Sequence, residues 1–304
     1  MLATARRFAY ASRGHPYARL LSGLALQRIG RSEDALQELE AGLAGLSVEE
    51  ADRIRDIRPL LDTDVAERLA ELNGEARARA EARFWASLDP LVSTPLNERM
   101  VVHLARSVYS QLRLGGPATD AGDLWIRYGE PLAIRVGGEG TELRTELWDY
   151  GHGPAVTLRR AASTNTLELT PEGRAYLEDL RTTRPHVYVP GGRSMETLAA
   201  RVEQLPGESG TLEFEVATRM PDALVSGADT LVLALVQLDA AGERVAQRRV
   251  GIPPGGDEMT VRIVADEDVR TLAIEIFNSS LACAAVTRVS ILPEDAGAAD
   301  ITVR

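Results

Sequence analysis

The run FWASLDPLVSTPLNER occupies positions 84 to 99, and the run GPATDAGDLWIRYGEP occupies positions 116 to 131. Both runs contain Pro, Thr and Asp, and the second run also contains Gly; these are residues that start and end helices. Asp89-Pro90 ends one helix, because the residue before a proline is pushed out of helical geometry. The two runs therefore mark the joints of the chain, and the elements on either side of them decide the fold class.

A helix is predicted between the two runs. It starts with Thr94 as N-cap and Pro95 at the first helical position, and Gly115-Gly116 terminate it. Its apolar stripe recurs at steps of three and four residues and consists of Val101, Leu104, Val108 and Leu112. The opposite face carries a polar row at similar steps, formed by Arg99, His103, Arg106 and Ser110.

The polar row has two interpretations. Two guanidinium groups flanking an imidazole could bind an anion or a carboxylate. Alternatively, the row is a structural network in which the arginines pair with Asp89, Asp120 or Glu98 and hold the loops. We favour the structural interpretation. For the loop at 116–122 we likewise expect Thr119 and Asp120 to cap backbone donors, with catalysis as the minor alternative.

Strands are predicted after the second run. Leu124, Ile126 and Tyr128 alternate, and residues 132–136 and 143–150 predict two more strands joined by a hairpin turn at 137–140. This glycine-rich turn lacks a following helix, so it is not a phosphate-binding loop. Thr170-Pro171 starts a short helix through Leu180 by the same N-cap and first-turn proline pattern.

Residues 17–44 predict a helical hairpin interrupted at Gly30. Counting from Gly23, Ala35 lies twelve residues on and Leu39 sixteen on, a spacing that resembles a tetratricopeptide repeat. Residues 3–16 have the pattern of a preceding repeat's second helix and closing Pro16. We therefore expect either that the downstream helices cap this unit or that the chain begins inside a repeat array. A further helix is predicted over residues 62–86, with Gly74 as a candidate break.

The periodicity changes to two near Arg184. Strands are predicted at 211–218, 231–238, 245–250, 259–264, 269–277 and 283–291, joined by loops of Gly, Pro and Asp. This pattern is typical of an antiparallel β-sandwich. A helix over 195–202 is also expected, and residues 191–194 ahead of it form either a plain turn with an N-cap or an anion site.

Composition excludes several chemistries. The net charge is −11 and the 34 basic residues are all Arg, so a Schiff-base lysine and a phosphate-loop lysine are impossible. The acidic balance and scattered arginines argue against nucleic-acid binding. Cys283 is the only cysteine and the four histidines show no H-x-x-x-H spacing, so thiolate metal sites are excluded and a zinc hydrolase is not expected. The carboxylates of the C-terminal half are interpreted as solvated turns, with a weak calcium site as the alternative. No metal site and no cofactor are predicted. No apolar run approaches the ~18 residues of a membrane span, and residues 1–15 do not resemble a signal peptide.

Residues 84–150 resemble the bacterial GWxTD-domain family, named for a Gly-Trp-x-Thr-Asp signature. The motif residues, in order, are Phe84, Trp85, Asp89, Pro90, Thr94, Pro95, Asn97, Glu98, Gly116, Thr119, Asp120, Gly122, Arg127, Tyr128, Gly129 and Pro131. Pro117 stands where the signature Trp would be, and Ala121 where an Arg often follows. The resemblance implies architectural roles for these residues. Family members generally look exported, and because this chain shows no signal peptide, its localisation stays open.

We therefore expect an α+β multidomain protein in three parts. These are a tetratricopeptide-like helical region at 1–83, a small mixed α/β core at 84–183 and a β-sandwich at 184–304. The expected function is non-catalytic protein interaction or scaffolding, with a protein partner or self-association through the N-terminal helices. The alternatives are a hydrolase using His103 and Asp120, acting on carbohydrate or peptide, and a glycan-binding module. The second alternative would need exposed aromatics, yet all three tryptophans lie outside the sandwich.

Overall fold

The structure, a computed structural model, describes residues 14–137, 144–151, 155–160, 166–183, 194–207, 211–221, 224, 231–252, 258–278 and 283–291. Helices dominate the first part of the chain and strands the last, which confirms the predicted α+β fold. The chain forms two compact units. Unit 1 comprises Met1–Phe84 and Arg99–Gly191, and unit 2 comprises Trp85–Glu98 and Gly192–Arg304. The expected division into three parts, with boundaries at 83 and 183, stays a prediction.

Unit 1 begins with short helices joined by tight turns. They are α1 (Pro16–Arg28), α2 (Ser32–Leu43), α3 (Val48–Arg55), α4 (Thr63–Glu71) and α5 (Gly74–Leu88), with a 3-10 turn at Arg58–Leu60. The first two form the predicted hairpin. A Cβ added to Gly23 would lie 2.6 Å from Leu39 Cγ, so the glycine is what lets α1 and α2 pack closely. The helix expected before the hairpin falls on residues 1–13, outside the described residues.

The helix predicted over 62–86 is two helices, α4 and α5. Leu72 is extended and Gly74 has a φ of 53°, a left-handed conformation that costs glycine little. Helix α3 was not predicted, although its start carries a sequence signal. Ser47 and Glu50 form a capping box, in which Ser47 Oγ accepts from the Glu50 N–H at 3.3 Å.

The rest of unit 1 is a four-stranded sheet with helices on one face. The elements are α6 (Glu98–Arg113), α7 (Asp120–Tyr128), β1 (Ala133–Gly137), β2 (Thr145–Asp149), β3 (Ala155–Arg160), β4 (Leu167–Leu169) and α8 (Pro171–Thr183). The strands form an antiparallel meander in the order β1-β2-β3-β4. Trp148, Val156 and Leu158 from the sheet share a core with Leu124 and Trp125 of α7.

The expected strand at 124–128 is wrong, because these residues complete helix α7. Ala121, Leu124, Trp125 and Tyr128 are buried at helical steps of three, one and three residues. Ile126 is also buried, since α7 is enclosed on several sides. Leu124, Ile126 and Tyr128 are therefore all apolar because the helix is buried on several sides, and their two-residue spacing does not indicate a strand. Helix α6 also begins at Glu98, three residues later than the predicted first helical position, Pro95.

The described residues of unit 2 form eight strands. They are β5 (Ser194–Thr197), β6 (Ala200–Pro206), β7 (Leu212–Arg219), β8 (Leu231–Leu238), β9 (Arg244–Ile252), β10 (Glu258–Val264), β11 (Thr271–Asn278) and β12 (Cys283–Ser290). One sheet has the order β10-β7-β6 and the other β5-β12-β11-β8-β9. Phe214 and Ile263 of the first share a core with Leu235 and Ile274 of the second, so the two sheets pack as a sandwich. Pairing is antiparallel except between β5 and β12.

The helix expected at 195–202 is wrong. Residues 194–197 and 200–206 are strands, in which Met195 pairs with Ala284 and Val202 with Val216. Leu198 and Val202 bury their side chains in the sandwich core, and this tertiary packing overrides local helical preference. Consequently no helix start is available there for an anion site; residues 191–193 of that motif lie outside the described part of the chain.

An arm formed by Trp85–Glu98 belongs to unit 2. Leu91 is fully buried in an apolar cluster with Ala234, Val236 and Phe277 of the five-stranded sheet. In β8, Leu233 and Leu235 point into the sandwich while Ala234 and Val236 point toward this second cluster. The run at 231–238 is continuously apolar because both faces of β8 are covered.

Candidate functional site

The polar row of α6 is enclosed. His103 and Ser110 have no exposed surface, Arg106 is 8% exposed and Arg99 is half-buried. The helix is therefore covered on its polar face as well as on its apolar stripe. An open anion pocket would need these groups to face a cavity, whereas His103, Arg106 and Ser110 lie within the packed interior of unit 1.

Arg106 supports the end of helix α7. Its Nη1 donates to the carbonyl oxygens of Ile126 and Arg127, each at 3.2 Å. These carbonyls belong to the last turn of α7, where a cation offsets the negative end of the helix dipole. Gly129 follows with a φ of 81°, and a Cβ there would lie 2.5 Å from Arg106 Nη2. Motif residue Gly129 thus makes room for the guanidinium.

His103 is fully buried. Burial lowers its pKa to about 4, the nearby Arg106 charge acts in the same direction, and the main chain and charge of Asp56 oppose the shift. The imidazole is therefore neutral near pH 7. A general base needs access to substrate and a pKa near the working pH, and His103 has neither property.

Thr119 and Gly122 build the turn into α7. Thr119 is the N-cap: its Oγ1 accepts from Gly122 N–H at 3.1 Å and donates to the Leu114 carbonyl at 2.8 Å. A Cβ on Gly122 would lie only 1.9 Å from the Gly116 carbonyl oxygen. Thr119 therefore caps a backbone donor as the sequence suggested, and the loop closes so tightly that position 122 requires glycine.

Asp120 joins three elements of unit 1. Its Oδ2 accepts from the Leu169 N–H of β4 at 2.9 Å and from Arg174 Nη2 of α8 at 2.8 Å. The carboxylate also sits in the first turn of α7, where the helix dipole favours negative charge. The expected pairing of Asp120 with an arginine of the polar row is thus replaced by pairing with Arg174, which the sequence did not single out.

A shallow cleft of about 370 Å³ lies beside this junction. Its lining contains two arginines, two glutamates and three other residues: Arg159, Glu168, Leu169, Pro171, Arg174, Ala175 and Glu178. Arg174 links the cleft to Asp120, but neither Asp120 nor His103 lines it. The described residues therefore do not bring His103 and Asp120 together at this cleft, as the hydrolase alternative would require.

The first half of the motif shapes the arm of unit 2. Asp89 Oδ1 accepts from Leu91 N–H at 3.1 Å, Thr94 Oγ1 donates to the Leu91 and Leu96 carbonyls at 2.9 Å, and Asn97 Nδ2 donates to the Trp85 carbonyl at 2.6 Å. Thr94 therefore ties a compact turn together and is not the N-cap of α6. Pro90 and Pro95 lie within this turn.

Glu275 of β11 holds the arm on the sheet. Its two carboxylate oxygens accept from the N–H groups of Val92 at 2.8 Å and Ser93 at 3.1 Å. Glu275 is completely buried, and burial raises its pKa against the lowering effect of these donors. Arg288 Nη2 donates to the Asp89 carbonyl at 2.6 Å. Burial raises the pKa of Asp89 to about 6, assisted by the negative charges of Glu98 and Glu275.

The remaining motif residues are also integrated into unit 1. Arg127 Nε donates to Asp123 at 3.0 Å along α7, and Tyr128 lies 5.3 Å from Tyr150 between ring centroids. Within the described ranges, no group of three or more His, Cys, Asp or Glu side chains could hold a metal ion. None of the helices in those ranges is long and apolar enough to cross a membrane.

Sequence reasoning missed Glu275 and Arg174, which bind the motif across 182 and 54 positions of the chain. A charged residue in an otherwise apolar strand, as in TLAIEIF at 271–277, was the available signal for Glu275. No protein-family model and no curated protein matches this chain. The similarity to GWxTD-domain proteins therefore rests on the motif residues alone and stays a prediction.

Proposed function

We propose that this protein is a non-catalytic interaction or scaffold protein that contacts its partners through unit 1. The observation that carries the proposal is the distribution of exposed apolar side chains. Ten large hydrophobic residues are exposed in the described part of the chain, and nine of them belong to unit 1. Five lie in or beside α1–α4: Leu21, Ile29, Val48, Val65 and Leu72. Contiguous exposed apolar surface is characteristic of protein contact sites, so the proposal places the contact where these side chains are most numerous.

The geometry of the motif residues supports the same proposal. Arg106, Thr119 and Asp120 each bind main-chain atoms of unit 1. Their hydrogen-bonding groups thus maintain the fold, as the GWxTD resemblance implies. The hydrolase alternative finds no support in a fully buried His103 with a pKa of about 4. A glycan platform also lacks support, since Trp125 and Trp148 are buried and Trp85 is half-buried.

The test is the association state of the full chain. We expect sedimentation velocity to show self-association of the wild type as concentration rises. The double variant Leu21→Glu, Ile29→Glu places two charges on the exposed α1 surface and should remain monomeric. The matched control is Val264→Glu, which changes an exposed apolar residue of unit 2 and should associate like the wild type.

A hetero-partner would be detected by a photo-cross-linker at position 29, with position 264 as the control. The proposal is contradicted if the wild type stays monomeric and position 29 captures no more protein in cells than position 264. It is also contradicted if the chain turns over a substrate and His103→Gln abolishes the turnover while the fold is retained.

A further inference from the structure

The two edges of the sheet in unit 1 differ. Strand β4 has three residues, and Asp120 binds its Leu169 N–H. Strand β1 pairs with β2 along one side, and no described strand pairs with its other side. All five residues of β1, Ala133–Gly137, are exposed. An edge strand of this kind offers main-chain donors and acceptors to an additional strand.

The apolar side chains of β1 lie where the buried layer of unit 1 ends. Ile134 pairs with Trp148 and Val136 with Glu146, so these four side chains share the inner face of the sheet. Trp148 and Glu146 are 2% and 8% exposed, whereas Ile134 and Val136 are 48% and 46% exposed. The helices cover β2 and leave β1 half uncovered. An added strand would extend this partly apolar face.

The positive charge of Arg135 indicates what kind of segment could pair with β1. Arg135 lies on the outer face between the two apolar residues, and β1 contains no acidic residue. Among the described residues, none forms an ion pair with Arg135. Self-pairing of two copies centred on this strand would place Arg135 opposite Arg135, and like charges directly opposite are destabilising. A carboxylate opposite Arg135 is favourable for the same reason.

We infer that the free edge of β1 binds an extended peptide segment of a partner protein by antiparallel strand addition. The segment has β-branched or other apolar residues beside Ile134 and Val136 and an acidic residue between them, opposite Arg135. Main-chain hydrogen bonds supply affinity in this binding mode, and alternate side chains supply specificity. The inference rests on the proposed interaction function and names a partner class for one surface of unit 1, the edge of β1.

The test uses the full chain and a capped probe peptide of sequence Ser-Thr-Val-Glu-Val-Thr-Ser. We expect saturable binding that Arg135→Glu weakens about fivefold, the size expected for a cross-strand charge pair. The peptide with Lys in place of Glu should show the reverse preference and bind Arg135→Glu better than the wild type. Arg159→Glu is the matched control, because Arg159 is an exposed arginine of β3 in the same sheet and should not alter binding.

Main-chain pairing is tested with N-methylated peptides. Only alternate peptide amides face β1 in an added strand, so methylation of the Glu amide and methylation of both Val amides should have unequal effects, one of them abolishing binding. Equal binding by both methylated peptides, or no binding up to about 1 mM, the weak end of the affinity scale, overturns the inference. A wild-type dimer in which the β1 amides are protected from hydrogen exchange would also overturn the inference, because a second copy of the chain would then pair with β1.

These outcomes are separable from the proposed function. That proposal is judged by the surface at Leu21 and Ile29 on α1, which Arg135→Glu does not alter. Failure of the peptide experiments with intact α1-dependent association would reject strand addition alone.

Discussion

Gly122 illustrates how a single residue can fix the signature loop. The turn at 116–122 brings the Gly116 carbonyl so close to α7 that no side chain fits at position 122. Thr119 then caps the helix and Asp120 anchors β4 and α8. The Thr-Asp-x-Gly order is thus a consequence of packing. Pro117 is compatible with this order because Thr119, Asp120 and Gly122 make the contacts of the loop.

Replacement of Gly122 by Ala should destabilise unit 1 by about 3 kcal/mol, since overpacking of a tight site costs one to a few kcal/mol. Urea unfolding of the full chain measures the loss. Gly251→Ala is the control: a Cβ at position 251 meets no atom within 4 Å, so its effect should stay within about 0.5 kcal/mol. Equal stability of the two variants would contradict the close approach at Gly122.

Because His103 is buried, we expect unit 1 to lose stability at acid pH. Burial lowers its pKa from 6.5 to about 4 in the folded protein. The unfolded chain therefore binds the proton more tightly, and stability is lost as the pH falls from 6.5 toward 4. The loss amounts to about 3 kcal/mol by proton linkage. Hydrogen exchange at α6 amides should show it, and His103→Gln should remove this pH dependence.

Asp89 should change stability with pH in the direction opposite to His103, and it therefore serves as an internal control. Its pKa is raised from 3.8 to about 6, so the folded form holds the proton more tightly than the unfolded chain. This contribution makes unit 2 more stable as the pH falls from 6 toward 4, and Asp89→Asn should flatten the trend. Suppose that the stability of both units changes in the same direction as the pH falls, and that it still does so in His103→Gln and Asp89→Asn. That result would contradict the pKa shifts of His103 and Asp89 as the cause.

At the scale of elements, the arm is the least expected feature. Trp85–Glu98 leaves the helical region, covers one face of the five-stranded sheet and returns into α6. Leu91 fills the apolar cluster on that face, and Glu275 binds the arm's N–H groups. Because the carboxylate is buried, these donors compensate for its lost hydration.

Leu91→Ala should therefore destabilise unit 2 by about 3 kcal/mol, as is usual for a large-to-small change at a fully buried position. Exchange rates of β8 and β11 amides in the full chain would report the change locally. Val264→Ala, at a half-exposed position of β10, is the control and should have little effect. Unchanged β8 protection in Leu91→Ala would mean that the arm does not stabilise the sandwich.

The elements also show what the sequence could predict. Local signals sufficed for the α1–α2 hairpin, for α8 with its Thr170 cap, and for β8, whose bounds 231–238 were predicted correctly. The error at 195–202 arose because strand pairing with β12 and β7 is non-local. The error at 124–128 arose because an enclosed helix buries residues at every spacing. The polar row was located correctly on α6, but its partners Ile126 and Arg127 depend on the fold of α7.

At the scale of the whole molecule, the motif is divided between the two units. Residues 85–98 belong to unit 2 and residues 99–150 to unit 1, so neither unit is a continuous piece of chain. A sandwich fragment starting at residue 184 would lack the arm, and its second apolar cluster would be uncovered. The motif therefore contributes residues to both units, and its hydrogen bonds to main-chain groups lie within each unit. The surfaces proposed for partners are on α1 and β1.

The measurement that tests this account most directly is the unfolding free energy of Arg106→Ala beside Arg113→Ala, an exposed arginine of the same helix. Removal of Arg106 leaves the buried Ile126 carbonyl and the partly buried Arg127 carbonyl without this charged donor, at a cost of about 3 kcal/mol. We predict that loss for Arg106→Ala, a change within about 0.5 kcal/mol for Arg113→Ala, and unchanged binding of the probe peptide by both. An unaltered unfolding curve for Arg106→Ala, together with loss of phosphate or acetate binding that the wild type shows, would contradict the account and establish the polar row as an anion site.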